Sequence, residues 1–203
     1  MKDGKLSGKL RNLVAYTRDG ENLRRKAPNR TTPPTERELV NQYIFGLVQD
    51  WVTPLSPFLK RGFKNYGRKV YGANAAKSLI HRKALHRQGY DSTIDPSLVQ
   101  VSAGKVALPE NLQASQGADG QIHFSWDPKT VGNASPRDRI MLLAYNVEKK
   151  WPEYELSGPK RHEAAAQLSL AGNLSGTYHL YAAFVSEDGE EQSDSGYLGS
   201  LEK

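Results

Sequence analysis

The segment Leu174-Ser175-Gly176-Thr177-Tyr178-His179-Leu180-Tyr181-Ala182-Ala183-Phe184-Val185 decides how the C-terminal half of this chain folds. A Gly-containing turn opens it, aromatic and β-branched residues fill it, and Asp188-Gly189 follows as the next turn signal. That is the composition of a strand. Working outward, the same pattern recurs at Asn111–Ser115, Gln121–Trp126, Arg139–Tyr145, Glu153–Leu156, Ala165–Leu170 and Ser195–Leu201. Ala118-Asp119-Gly120 and Gly132-Asn133 supply further turns between them. Seven short strands at this spacing predict an antiparallel sandwich over residues 105–203. Leu98, Val99 and Val101 add a linking strand ahead of it.

The periodicity changes upstream of Asp95-Pro96. Thr35-Glu36-Arg37-Glu38 matches a capping box, in which Thr35 serves free amides and Glu38 reaches back. Val40, Tyr43, Ile44, Leu47, Val48 and Trp51 then recur at helical spacing. Thr53-Pro54 ends that helix and can start another, with Leu55, Phe58, Leu59, Phe63 and Tyr66 as its apolar stripe. A third helix is expected over Ala73–Leu85. Residues 35–104 thus read as a helical region. Before it, Leu13–Thr17 and Asn22–Ala27 flank Asp19-Gly20, the signature of a β-hairpin within an arm of residues 1–34. A lone hairpin is marginal in water, so packing on the chain or on a partner should order this arm. The fold class is α+β: a hairpin arm and short helices, then the sandwich.

Charge divides the chain at the same place. Of its 203 residues, 1–105 hold 20 Lys and Arg against 8 Asp and Glu, whereas 106–203 hold 8 against 14. The formal net charge of +6 therefore conceals a cationic half joined to an anionic one. Clustered cations suit phosphates or acidic protein surfaces. Lys60, Lys64 and Arg68 fall on one helical face at i, i+4 spacing, and Arg24, Arg25 and Lys26 charge the arm. These six are the candidate partner-binding residues. Phe63, Tyr66 and Tyr71 lie close enough to stack on bases, although core packing accounts better for the first two.

Catalytic chemistry finds little support. The chain has no cysteine, which excludes disulfides, thiolate nucleophiles and Cys-ligated metals. His81 and His86 lie five apart and leave a helix in different directions, while His123 and His179 alternate with core positions on strands. No Gly-x-Ser-x-Gly elbow or phosphate-binding loop stands where such a motif needs a strand and a helix. The acidic run 187–191 lacks the EF-hand ligand pattern and reads as a solvated hairpin loop. We therefore expect no enzyme, no cofactor, no metal and no small-molecule substrate. Neither a signal h-region nor an apolar stretch of membrane-spanning length occurs, so the protein is expected in the cytoplasm as made. Incorporation into a particle, or export by a route needing no signal, is compatible with that.

Two resemblances bear on this reading. Ile122-His123-Phe124-Ser125-Trp126-Asp127-Pro128 resembles the second strand of a fibronectin type III domain, whose tryptophan enters the core. The segment 174–185 resembles that fold's tyrosine-corner strand, and 186–193 suits the loop before its last strand. The resemblance covers roughly 107–203 and implies a binding or spacer module without specifying a ligand. The whole chain is also similar to an uncharacterised bacterial family, a domain of unknown function. Gly8-Lys9-Leu10-Arg11-Asn12-Leu13-Val14, Pro33-Pro34-Thr35-Glu36, Gly62-Phe63-Lys64-Asn65-Tyr66, Ala73-Asn74-Ala75-Ala76 and the C-terminal 183–186 and 195–199 carry that similarity. The expected function is a non-catalytic binding or assembly protein, in which the basic region engages a protein partner or another subunit and the fibronectin-like module projects outward. The alternative is sequence-tolerant binding of nucleic acid.

Overall fold

A computed structural model of the protein describes residues 7–28, 31–67, 72–117, 120–170 and 175–203. It is a mixture of helices and antiparallel sheets. Two compact units divide the chain, 1–39 and 40–203, and each is taken in turn.

The first unit holds a three-stranded sheet of β1 (Gly8–Leu10), β2 (Leu13–Arg18) and β3 (Glu21–Lys26), in that spatial order. Asp19 and Gly20 both take positive φ, 52° and 90°, so the β2–β3 connection is the two-residue turn that matches strand twist. Register pairs Leu13 with Lys26, Ala15 with Arg24 and Tyr16 with Leu23. The hairpin is as expected. The third strand is an addition, since Gly8–Leu10 is too short to declare itself as a strand in the sequence. At Thr35 the capping box forms as read. Glu38 Oε2 accepts from the Thr35 amide at 2.8 Å, and the Glu38 amide donates to Thr35 Oγ1 at 3.4 Å.

Helix α1 (Glu36–Val52), of which all but the first four residues belong to the second unit, runs through a short 3-10 turn into α2 (Ser56–Gly62). Helix α3 (Gly72–Leu79) continues into a π-helical turn at Ile80–Ala84. A two-residue ladder joins β4 (Leu85–His86) to β5 (Thr93–Ile94). Seven longer strands follow. β6 (Gln113–Gln116), β7 (Gln121–Ser125) and β10 (Ala165–Ser169) make one sheet, in the order β10-β7-β6. β8 (Arg139–Asn146), β9 (Trp151–Glu155), β11 (Thr177–Val185) and β12 (Gly196–Glu202) make the other, in the order β12-β11-β8-β9.

The two-residue period of a strand explains the packing. Ile140, Leu142 and Ala144 of β8, with Leu180, Ala182 and Phe184 of β11, face Ile122, Phe124, Trp126, Ala166 and Leu168 in one core. The alternate residues Met141, Leu143, Tyr145, Tyr181, Ala183 and Val185 belong to a second core, with Val48, Trp51, Phe58, Leu59, Phe63, Ala76 and Ile80 from the helices. The four-stranded sheet is thus covered on both faces, which is why Ile140–Asn146 is buried without interruption. Trp51 meets Tyr145 edge-on at 5.1 Å, and the Tyr145 hydroxyl donates to the Trp51 carbonyl at 3.2 Å. Burial raises the Tyr145 phenol to about 12, with the Asp50 carboxylate adding to the rise.

The linking strand expected at Leu98–Val101 does not form. Asp95 caps a 3-10 turn at Pro96–Leu98, accepting from the Ser97 amide at 2.8 Å, and the chain then runs irregularly between helices and sheet. Val99 and Val101 are buried there, and the Ser102 hydroxyl, itself buried, reaches the carbonyls of Gly62 at 2.9 Å and Ser193 at 2.7 Å. The Val101 amide donates to Ser195 Oγ, the Ala103 amide to the Gly62 carbonyl and the Ser195 amide to the Ser102 carbonyl, each at 3.0 Å, so hydroxyl and irregular backbone bonds together stand in for a strand ladder. Among the described residues, no helix is long and apolar enough to cross a membrane.

Candidate partner-binding surfaces

The six cationic candidates separate into three situations. Arg24, Arg25 and Lys26 lie on the outer strand of the arm sheet and are all exposed. Strand alternation puts Arg24 and Lys26 on the face that also carries Leu13 and Ala15, and Arg25 on the face of Val14 and Tyr16. The Arg25 guanidinium stands 5.9 Å from the centre of the Tyr16 ring. On the Arg24 face, Ser7, Leu10, Leu13 and Ala15 help line a hollow of about 350 Å³. Leu10 is 77% exposed and Leu13 48%. This sheet has charge and apolar surface on display but no core among its own described residues.

Lys60 and Lys64 do not share a helical face. Helix α2 stops at Gly62, where a side chain would run into the Val101 carbonyl and Ser102. Asn65, at φ 58°, turns the chain back. Tyr66 accordingly leaves the apolar stripe assigned to it and is exposed, its ring edge-on to buried Phe63 at 5.4 Å. Lys60 remains exposed at the end of α2, whereas Lys64 turns inward to the β11–β12 loop. Its ammonium donates to the Gly189 carbonyl at 3.0 Å and to Glu190 Oε1 at 2.7 Å. Arg61 donates to the same carbonyl at 3.1 Å, and Asn65 donates to the Glu190 carbonyl at 3.0 Å. The buried Gln192 amide closes the arrangement through the Lys64 and Ala103 carbonyls. Part of the cationic excess is thus neutralised within the chain. Arg68 and Tyr71 lie outside the described residues.

The same loop, a solvated turn by its sequence pattern alone, builds a site. Glu187, Asp188 and Glu191, with Asp138, Ser135, Ser186, Asn133 and Val106, line a cleft of about 440 Å³. None of these lining residues is a Lys or Arg. Asp138 is nearly inaccessible; its Oδ2 accepts from the Ser135 amide at 2.7 Å and lies 3.5 Å from Arg161 Nε. Glu187 stands 3.6 Å from Arg137 at the surface. Asp188 accepts from the Ser186 hydroxyl and the Glu190 amide, and those bonds hold its carboxyl below the usual range. Neither Asp188 nor Glu191 has an ion-pair partner among the described residues. The acidic run 187–191 was visible in sequence. That Asp138 and Asn133, about fifty residues earlier, complete a cleft with it was not.

The histidines gather no metal site: among the described residues, no cluster of His and carboxylates is suited to hold one. His179 packs beside Tyr197, its Nδ1 3.0 Å from the hydroxyl, and burial lowers its pKa while Asp95 opposes the shift.

The model of a family of unknown function, DUF6266, matches residues 5–199, nearly the whole chain. No curated protein and no solved structure matches it.

Proposed function

Since the chain belongs to that family, which has no assigned function, we propose from its own surfaces that it is a non-catalytic binding or assembly protein. Its basic arm engages an acidic partner and a fibronectin type III-like sandwich forms the other working part. The arm sheet carries this reading: exposed leucines and the cations Arg24, Arg25 and Lys26 stand together on strands that have little to bury. Support for the module comes from seven strands arranged as β10-β7-β6 against β12-β11-β8-β9, with Trp126 in the shared core. Helices cover the outer face of its larger sheet, which leaves the β6-β7-β10 face and the loops to point outward.

One observation favours nucleic acid as the partner instead. Tyr16 beside Arg25 is a stacking surface next to a phosphate-binding cation. Titrating the full chain with labelled polyglutamate and with a labelled single-stranded oligonucleotide, each at several salt concentrations, separates the two readings. Polyglutamate binding that is lost in the R24A/R25A/K26A variant supports an acidic protein partner. Oligonucleotide binding alone supports the alternative. No binding of either at low salt overturns both.

A further inference from the structure

We propose that the partner of the arm is a second copy of this chain: Arg24 and Lys26 of one copy enter the acidic cleft bordered by Glu187, Asp188 and Glu191 on another. This rests on the reading of the arm as a partner-binding element and gives that partner an identity.

Complementarity in charge and in apolar surface carries the inference. The cleft brings four carboxylates to about 440 Å³ without a cation in its lining. The charge of Asp138 is met by buried Arg161, and that of Glu187 in part by exposed Arg137, a contact of the kind that contributes little. Asp188 and Glu191 form no ion pair among the described residues, and the charge of Lys64 acts on Asp188 only from beyond ion-pair distance. On the arm, Arg24 and Lys26 lie two residues apart on one face of an edge strand, which sets their Cα atoms about 7 Å apart. Two cations at that spacing suit a cleft with acidic groups along one loop. The apolar parts also correspond. Leu10 and Leu13 accompany the arm cations, while Val131, 45% exposed, sits in the turn that supplies Asn133; Val106 lines the cleft from the core and is itself buried.

Nucleic acid fits this pair of surfaces less well. Its phosphates gain nothing from exposed leucines, and the carboxylates of the cleft repel them. Every copy donates one arm and receives one, so the assembly is a reciprocal two-fold dimer, a larger closed ring or an open row. Salt should weaken it, since exposed charges carry much of the attraction.

Light-scattering mass of the full chain over a concentration series, at low and high salt, tests the proposal. The expected result is a mass that rises above the monomer with concentration at low salt and falls back at high salt. R24E/K26E alone, and E187K/E191K alone, should each weaken association at least tenfold. Mixing the two variants, or combining all four substitutions in one chain, should restore it, and misfolding cannot produce such a rescue. A monomer at every concentration and salt overturns the proposal. So does association that survives both reversals, or that mixing fails to restore. If the chain is monomeric yet still binds polyglutamate or oligonucleotide through Arg24, Arg25 and Lys26, only the second copy is ruled out. If it binds neither, the reading of the arm falls as well.

Discussion

Arg161 shows what single residues do in this protein. Its side chain is wholly buried, 4.2 Å from the centre of the Phe184 ring, and its Nη2 donates to the Ala107 carbonyl at 2.7 Å. Burial depresses its pKa and Asp138 acts against that. A guanidinium does not deprotonate in a protein, so the pair stays ionised inside the core. Removing one partner of a buried pair leaves the other charge stranded, and Arg161→Ala should cost about 3–5 kcal/mol in a denaturant melt. Trp126 depends on the same residue, since its indole N–H donates to the Arg161 carbonyl at 2.7 Å. Glu190 behaves differently because it is exposed. Hydrogen bonds from Lys64 and Asn65, with the lysine's charge, hold its carboxyl below the ordinary range. Its stabilising contribution is therefore complete above the unfolded carboxylate pKa of about 4.3 and is lost as pH falls through the folded value. Glu190→Gln should lower thermal stability at pH 7 and converge on the wild type in acid, and a constant difference across pH would contradict the clamp.

At the scale of elements, the arm and the sheets are opposites. Strands β8 and β11 lie between two cores, whereas β2 and β3 have exposed or half-buried residues throughout. Native-state hydrogen exchange should accordingly find the amides of β2 and β3 opening at much lower free energy than those of β8 and β11. Equal protection would mean that the arm is covered. Legibility in the sequence followed the same physics. Asp19-Gly20, Thr35…Glu38 and the strands around Trp126 and Tyr178 were readable because each rests on local chemistry or a simple period. Arg139–Tyr145 is readable as a strand, one residue short of its observed end at Asn146, but covering of both faces emerges only when the helices are placed. The i, i+4 spacing of Lys60 and Lys64 suggests a shared helical face because nothing local announces that Gly62 must pack against Val101. The cleft was invisible for a similar reason: Asp138 and Glu191 meet through the fold, not through spacing.

For the whole molecule, the shared sheet couples the helices to the strands. Trp51 reports on the helical core and Trp126 on the core between the sheets. Each core borrows alternate residues of β8 and β11, so neither can be lost while the other stays packed. Variants that retain only one of these tryptophans should unfold in denaturant at the same midpoint. Separate midpoints would show that the cores melt independently.

The doubly covered sheet also bears on how far the C-terminal part can be treated as a portable bead. A two-sheet unit that joins others in a string must present water-compatible faces on every side. Cut away from residues 40–104, this one would bare Met141, Leu143, Tyr145, Tyr181, Ala183 and Val185 as a continuous greasy wall. Its helices are thus less a neighbouring domain than a lid that the barest version of the module cannot do without. An inheritance that moved the strands to a new setting would have had to carry the helices along.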